Sequence, residues 1–258
     1  MAFATINYYS HSLEKASSFN VVFPDSPDAK RPWCVYYLLH GLSDDHTTWS
    51  RRSAIERYTI GYPLMVVMPD GGRGWYTNAL DGDPYEDDLI KDVIGLVDKN
   101  FPVRAERSGR CIGGISMGGF GAVKLALQYP DLFASADSQS GLLALLRRPE
   151  ESRLLSREFP RIFGDSPTDG PEDPFALARE VKPRKRPSLL LTCGTEDPFL
   201  AQTREFGQHL QTLDFTHEYA EPPGSHTWSF WDLHVREAID FHRRNLGIPD
   251  SPEHAILR

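Results

Sequence analysis

Five short stretches of this chain are apolar almost from end to end: WCVYYLLH (33–40), LMVVMPD (64–70), RCIGGIS (110–116), SLLLTCG (188–194) and, more weakly, FTHEYAE (215–221). They do not alternate between apolar and polar residues. A strand with one wet face alternates, whereas a strand covered on both faces reads as a continuous run, as in parallel sheets flanked by helices. Helical patterns lie between the runs. PYEDDLIKDVIGLVDKNF (84–101) opens with proline and acids, both suited to a first helical turn, and places Leu89, Val93, Leu96 and Val97 on one face. GGFGAVKLALQYP follows the third run and stops before Pro130; AQTREFGQHLQTL (201–213) and WDLHVREAIDFHRRNLG (231–247) come later, the last closed by Gly247 and Pro249. Strands alternating with helices form βαβ units, so the expected fold class is α/β, a mainly parallel central sheet with helices on both faces. One such domain accommodates all 258 residues. The stretch 142–187, rich in Arg and Pro, breaks the alternation and is expected to be a small cap-like insertion over the carboxyl edge of the sheet, where it would shape a binding cleft.

The sequence GGISMGGFGAV (113–123) places five glycines around one serine, Ser116. Glycine inside regular structure costs roughly 0.5–1 kcal/mol relative to alanine, so the crowding needs a reason. Gly114-Ile115-Ser116-Met117-Gly118 fits G-x-S-x-G, set between a strand pattern and a helix pattern, which is the context that motif requires. A sharp strand-to-helix turn strains the serine backbone, brings the residues two positions either side together, and leaves N–H groups free to hold an oxyanion. A glycine-rich turn with an incidental serine is the alternative. The chain contains no G-x-x-x-x-G-K-[ST] and no dinucleotide fingerprint, so phosphate binding is not expected.

A serine hydroxyl becomes a useful nucleophile only beside a base that an acid orients, and in this type of fold the chain order is Ser, acid, His. The acid belongs after a late strand, where LLLTCGTEDPFL offers Asp197, with Glu196 as runner-up; the following Pro198 fixes a turn at Asp197, which would also suit a helix cap or an Asx turn. EPPGSHTWSFWDLH places His226 in a Pro/Gly loop before the last helix, whereas His217 falls in a strand and His234 in a helix. Of the two oxyanion donors, one is the N–H of Met117 and the other the N–H of Leu42, in the loop that follows the first core run. His40, beside it, reads as a structural residue bonded to nearby backbone. Trp75, Tyr76 and Trp228 are candidates for the substrate pocket, with Trp231 also close to the histidine. Lys and Arg in KPRKRP (182–187) read as a solvated loop.

Lys plus Arg total 28 against 36 Asp plus Glu, a net charge of −8, which speaks against a nucleic-acid binder that tracks phosphates. Cys34, Cys111 and Cys193 each sit in an apolar run, an odd set with no short spacing and hence neither a disulfide framework nor a zinc knuckle. No basic start precedes an apolar stretch at the N-terminus, and no apolar run approaches the roughly 20 residues of a membrane span. A cytoplasmic protein without membrane contact is expected; homo-oligomerisation is compatible with all of this.

Taken together, YYLLHGLSDDHTTW, VVMPDGGRGWYTN, GISMGGFGAVKLAL, CGTEDPFL and GSHTWSFW resemble the S-formylglutathione hydrolase and tributyrin esterase group of α/β-hydrolases. Feruloyl esterases, acetyl-xylan esterases and mycolyl transferases are more distant relatives of that group. The resemblance spans roughly residues 5–245 and is nearest to small bacterial tributyrin-esterase-like proteins. It implies the α/β-hydrolase fold and hydrolysis of short-chain acyl esters or thioesters through an acyl-enzyme, with a small-molecule ester as substrate and neither cofactor nor metal. Ser116, Asp197 and His226 match its triad, and Leu42 and Met117 its oxyanion positions. HGLSDDHTTW departs from the cysteine-containing stretch of S-formylglutathione hydrolases, which points away from that thioester. An acyltransferase would use the same triad. A non-catalytic binding protein of this fold would have lost the nucleophile or base, and a serine peptidase would need a second domain to gate peptides.

Overall fold

The computed structural model describes residues 1–26, 29–148, 150–151 and 157–250. Its centre is one eight-stranded sheet in the order β1-β2-β4-β3-β5-β6-β7-β8. The strands are β1 (Ala2–Ser10), β2 (Lys15–Phe23), β3 (Cys34–Leu39), β4 (Leu64–Pro69), β5 (Arg110–Ile115), β6 (Ser135–Gln139), β7 (Ser188–Thr192) and β8 (His217–Ala220). From β4 to β8 all neighbours are parallel; β2 runs antiparallel to both β1 and β4.

The continuous apolar runs follow from burial on both faces. In β3, Val35, Tyr37 and Leu39 enter one core cluster, while Cys34, Tyr36 and Leu38 enter the other. Successive side chains point to opposite faces of a strand, so only a sheet covered twice makes all six apolar. Helices α1 (Thr48–Arg52) and α2 (Ile55–Tyr58) lie on the Tyr36 side. On the Tyr37 side, α3 (Tyr85–Asp87) runs through a π-helical segment, Asp88–Val93, into α4 (Ile94–Asn100), beside α5 (Met117–Gln128). Later in the chain come α6 (Phe159–Phe163), α7 (Pro174–Glu180), α8 (Leu200–Thr212) and α9 (Trp228–Leu246). α9 returns to the Tyr36 face and stops at Gly247, whose left-handed φ of 68° makes it the C-terminal cap.

Three strands escape a search for apolar runs. β1 and β2 form a hairpin, from Ala2↔Phe23 to Ser10↔Lys15, and β1 alternates between half-buried and exposed residues. β6, SADSQ, is fully buried yet polar. Two of its polar side chains find partners inside: Asp137 Oδ1 accepts from Tyr36 Oη at 2.6 Å and from His242 Nε2 at 2.9 Å, and His242 Nδ1 lies 2.7 Å from Ser135 Oγ. These four side chains join α9 to the middle of the sheet, and their hydrogen bonds offset the cost of burying them.

The described part of 142–187 is largely framework. Leu142–Leu146, Phe159, Phe163, Phe175 and Leu177 join the core cluster that contains α5. Fully buried Lys124 of α5 donates to Glu86 Oε2 at 2.5 Å and to Glu172 Oε2 at 2.7 Å, tying the segment to the α3 region. A buried ammonium needs such partners, and only loss of both carboxylates would leave it without a counter-charge. Residues 149 and 152–156 of the stretch lie outside the described residues. Lys185 pairs with Asp131 on the surface, in keeping with a solvated basic loop.

Candidate active site

β5 ends at Ile115 and α5 begins at Met117, leaving Ser116 alone to make the turn, at φ 52° and ψ −116°. That conformation is sparsely populated for a residue with a Cβ, and such strain is kept only where the surroundings impose it. Here Ser116 N–H donates to the Gln139 carbonyl at 2.9 Å, and its own carbonyl accepts from Phe120 N–H at 3.0 Å. A Cβ on Gly114 would fall 2.8 Å from the Gly118 backbone, which is the close approach expected across the turn. Both glycines also press on β3: a Cβ on either would stand 2.6 Å from the Leu39 carbonyl oxygen, and one on Gly118 2.7 Å from that of His40. The turn is thus wedged against the start of the Leu42 loop, and backbone atoms cannot swing aside. Gly118→Ala is expected to lower stability by about 1–3 kcal/mol, as overpacked sites do; a urea titration that leaves the midpoint unchanged would contradict this.

Three side chains distant in sequence meet in line. His226 Nε2 lies 3.1 Å from Ser116 Oγ, and His226 Nδ1 lies 2.9 Å from Asp197 Oδ2. Asp197 follows β7, and its Oδ1 accepts from Phe199 N–H at 2.9 Å, an Asx-type turn in addition to the histidine contact. Burial works to raise the Asp197 carboxyl, but the bonds from His226, the Phe199 N–H and the Ser140 hydroxyl outweigh it and hold it below the usual range. Glu196 is exposed and accepts from the Thr195 hydroxyl at 3.1 Å, away from the histidine.

The loops bearing the acid and the base are laced together. Thr195 N–H donates to the Pro222 carbonyl at 3.0 Å and Glu196 N–H to that of Gly224 at 2.9 Å. A Cβ on Gly194 would overlap the Gly224 carbonyl oxygen, so only glycine allows the loops so close. The imidazole is walled by Trp231 at 4.8 Å and Phe199 at 5.0 Å between ring centroids, both edge-on.

The N–H groups of Met117 and Leu42 have no acceptor within the protein among the described residues. His40, 1% exposed, orients the second of them. Its Nε2 accepts from Gly71 N–H at 2.9 Å, so its proton is on Nδ1, which donates to the Gly41 carbonyl at 2.8 Å. A trans peptide points C=O and N–H in opposite directions, so holding the Gly41 carbonyl fixes the direction of the Leu42 N–H.

Trp75 and Tyr76 do not line the cleft, contrary to the sequence-based expectation. Both have left-handed φ, 55° and 52°, which turns them inward, and each is 1% exposed. Trp75 packs edge-on against Phe120 at 5.7 Å. Tyr76 fills the space that a Cβ on Gly121 would share, 2.7 Å from its ring, and its hydroxyl accepts from His40 N–H at 3.0 Å and donates to the His40 carbonyl at 3.2 Å. Its place is behind the Leu42 loop. Trp228, by contrast, lines the cleft in front of Ser116, about 410 Å³ in volume, together with Leu42, Asp44, Arg52 and Trp231. Tyr76→Phe removes both hydrogen bonds at His40 and is expected to lower kcat about tenfold, short of the roughly 10²–10³ for losing a whole oxyanion donor. An unchanged kcat would separate Tyr76 from the Leu42 loop.

Residues 10–240 match the family model Esterase, described as "Putative esterase". The chain belongs to the esterase family. It is similar to the acetyl esterase of Caldicellulosiruptor saccharolyticus, 27% identical over 260 residues that cover 93% of this chain and 98% of that one. Among solved structures it resembles FphF, a fluorophosphonate-binding serine hydrolase of Staphylococcus aureus, at 30% identity and a TM-score of 0.85, covering 93% of this chain and 98% of that one. The S-formylglutathione hydrolase FrmB of Staphylococcus aureus follows at 27% identity and a TM-score of 0.82, with the same coverage. The chain is accordingly a serine hydrolase acting on ester bonds, with the α/β-hydrolase fold. Among the described residues no helix is long and apolar enough to cross a membrane, and no cluster of three or more His, Cys, Asp or Glu side chains could hold a metal ion.

Proposed function

We propose that the protein is a carboxylesterase that cleaves short-chain acyl esters of small molecules through an acyl-enzyme on Ser116. Ser116 Oγ attacks the ester carbonyl as His226 Nε2 takes its proton. Asp197 holds the imidazole with its other proton on Nδ1 and stabilises the imidazolium. The Leu42 and Met117 N–H groups receive the oxyanion that forms. The carbonyl re-forms as the bond to the alcohol breaks, and His226 gives its proton to the departing oxygen. Water, deprotonated by the same histidine, then attacks the acyl-enzyme and releases the acid. The unbroken line from Asp197 Oδ2 through His226 to Ser116 Oγ, at 2.9 Å and 3.1 Å, carries this reading.

The short-chain assignment is supported by the bulk of Leu42, Trp228 and Trp231 around a modest cleft and by the likeness to an acetyl esterase. A thioester substrate is the second reading, favoured by the likeness to FrmB. The chain acts as one domain in which 142–187 braces the loop beside the cleft: Arg73 binds Glu158 of that stretch at 2.9 Å and 3.1 Å and also donates to Ser43, next to Leu42, at 2.7 Å. Three free, buried cysteines fit a cytoplasmic location. Hydrolysis of p-nitrophenyl esters from acetate to octanoate, beside S-formylglutathione and methyl ferulate, tests the assignment. A maximum at acetate or butyrate is expected. A maximum at S-formylglutathione or ferulate would replace the substrate class, and no hydrolysis by folded protein would return the acyltransferase and binding-protein readings.

A further inference from the structure

The cleft in front of Ser116 holds a cation that acyl transfer does not use. Arg52 is the last residue of α1, and its guanidinium carbon stands 5.7 Å from the centroid of the Trp228 ring. The adjacent Arg51 reaches Asp45 at 3.9 Å, whereas Arg52 has no carboxylate within 4.0 Å among the described residues. A guanidinium resting on an indole keeps its planar fork of donors ready for a carboxylate or a phosphate.

The histidine tells which part of the substrate meets it. The acyl carbonyl must sit between the Leu42 and Met117 N–H groups, and the departing oxygen must reach His226 Nε2. From the His226 ring an aromatic wall leads to Trp231 at 4.8 Å, from Trp231 to Trp228 at 5.4 Å, and from there to Arg52. An alcohol portion laid along that wall would bring its far end to the guanidinium.

We propose that Arg52 determines specificity for esters whose alcohol portion carries an anionic group, a carboxylate or a phosphate monoester; this rests on Ser116 as the nucleophile. Asp44 faces the same cleft and opposes such a group. Its carboxylate makes no ion pair with Arg52 within 4.0 Å, so the two charges act on an incoming anion with opposite sign. Burial pushes the Asp44 carboxyl up, ahead of the pull from His40, the Gly41 N–H and Arg52.

Three acetyl esters test this: 3-acetoxybenzoate, 3-acetoxyphenyl phosphate and neutral 3-acetoxybenzamide. They share the acyl group and the aryl oxygen that leaves. The quantity read is the ratio of kcat/KM for each anion to that for the amide. Arg52→Gln should lower the ratio about tenfold, as loss of a charge-assisted hydrogen bond does. Asp44→Asn should raise it about threefold by removing a repulsive charge. Sodium chloride at about 1 M, where the screening length is about 3 Å, should erode the wild-type ratio. The anion whose ratio moves more is the chemistry that Arg52 selects. A ratio within twofold of wild type in Arg52→Gln, for both anions, overturns the proposal. Wild-type protein that leaves 3-acetoxybenzamide and p-nitrophenyl acetate alike uncleaved would instead overturn the nucleophile assignment beneath it.

Discussion

Ser116→Ala is expected to lower kcat for p-nitrophenyl acetate by about 10⁴–10⁶, the range for deleting a serine nucleophile whose oxyanion donors remain. Alanine keeps the Cβ, so the turn at φ 52° and ψ −116° is unaltered, and only the hydrogen bond between Oγ and His226 Nε2, 3.1 Å long, disappears. The thermal transition should therefore stay where it is or rise slightly, as happens when a strained functional residue is simplified. Residual turnover above a few per cent, in protein that melts as wild type does, would move the nucleophile elsewhere.

Asp197→Asn should cost about 10³–10⁴ in kcat. Asparagine can still accept from Phe199 N–H, so the loop is retained. Its amide NH₂, however, cannot accept from His226 Nδ1. The imidazole then carries its proton on Nε2, facing Ser116, and cannot take another from it. The sign of the pH effect follows from the same contacts. The folded carboxyl is held below its ordinary value, so its share of stability is present at neutral pH and is lost as pH falls through that lowered value. Above the ordinary aspartate value of about 3.9 the share is intact, and Asp197→Asn should be less sensitive to acid below it. Glu196→Gln, altering an exposed side chain that accepts from the Thr195 hydroxyl, should stay within twofold of wild type in kcat. If Glu196→Gln were the damaging change and Asp197→Asn were not, the acid would be Glu196.

What could be read from the sequence was whatever leaves a local signature. Double burial makes β3, β4, β5 and β7 continuously apolar, and the turn at Ser116 needs glycines at fixed offsets, so both were legible. The polar strand β6 was not, because Asp137 is matched by Tyr36 and His242, which lie 101 and 105 residues away. The hairpin gives no such run: β1 alternates, and β2 opens with the exposed, polar KASS before its buried half. Within the site, Ser116, Asp197 and His226 could be placed by chain order and loop context. Trp75 and Tyr76 could not, because an aromatic residue after a strand serves a cleft or a core equally well and only two consecutive left-handed residues sent these inward. The hold of Tyr76 on His40 depends on the loops after β3 and β4 meeting and has no signature in either of them.

The most direct test is to trap the acyl-enzyme. Protein mixed with p-nitrophenyl acetate is quenched in acid within the first turnover, digested, and its peptides are mapped by mass spectrometry, with Asp197→Asn run alongside. The expected result is an acetyl group on Ser116 in wild-type protein, absent from Ser116→Ala. An acetyl group on any other residue, or nitrophenol released with no acylated peptide at any time, would contradict acyl transfer through Ser116.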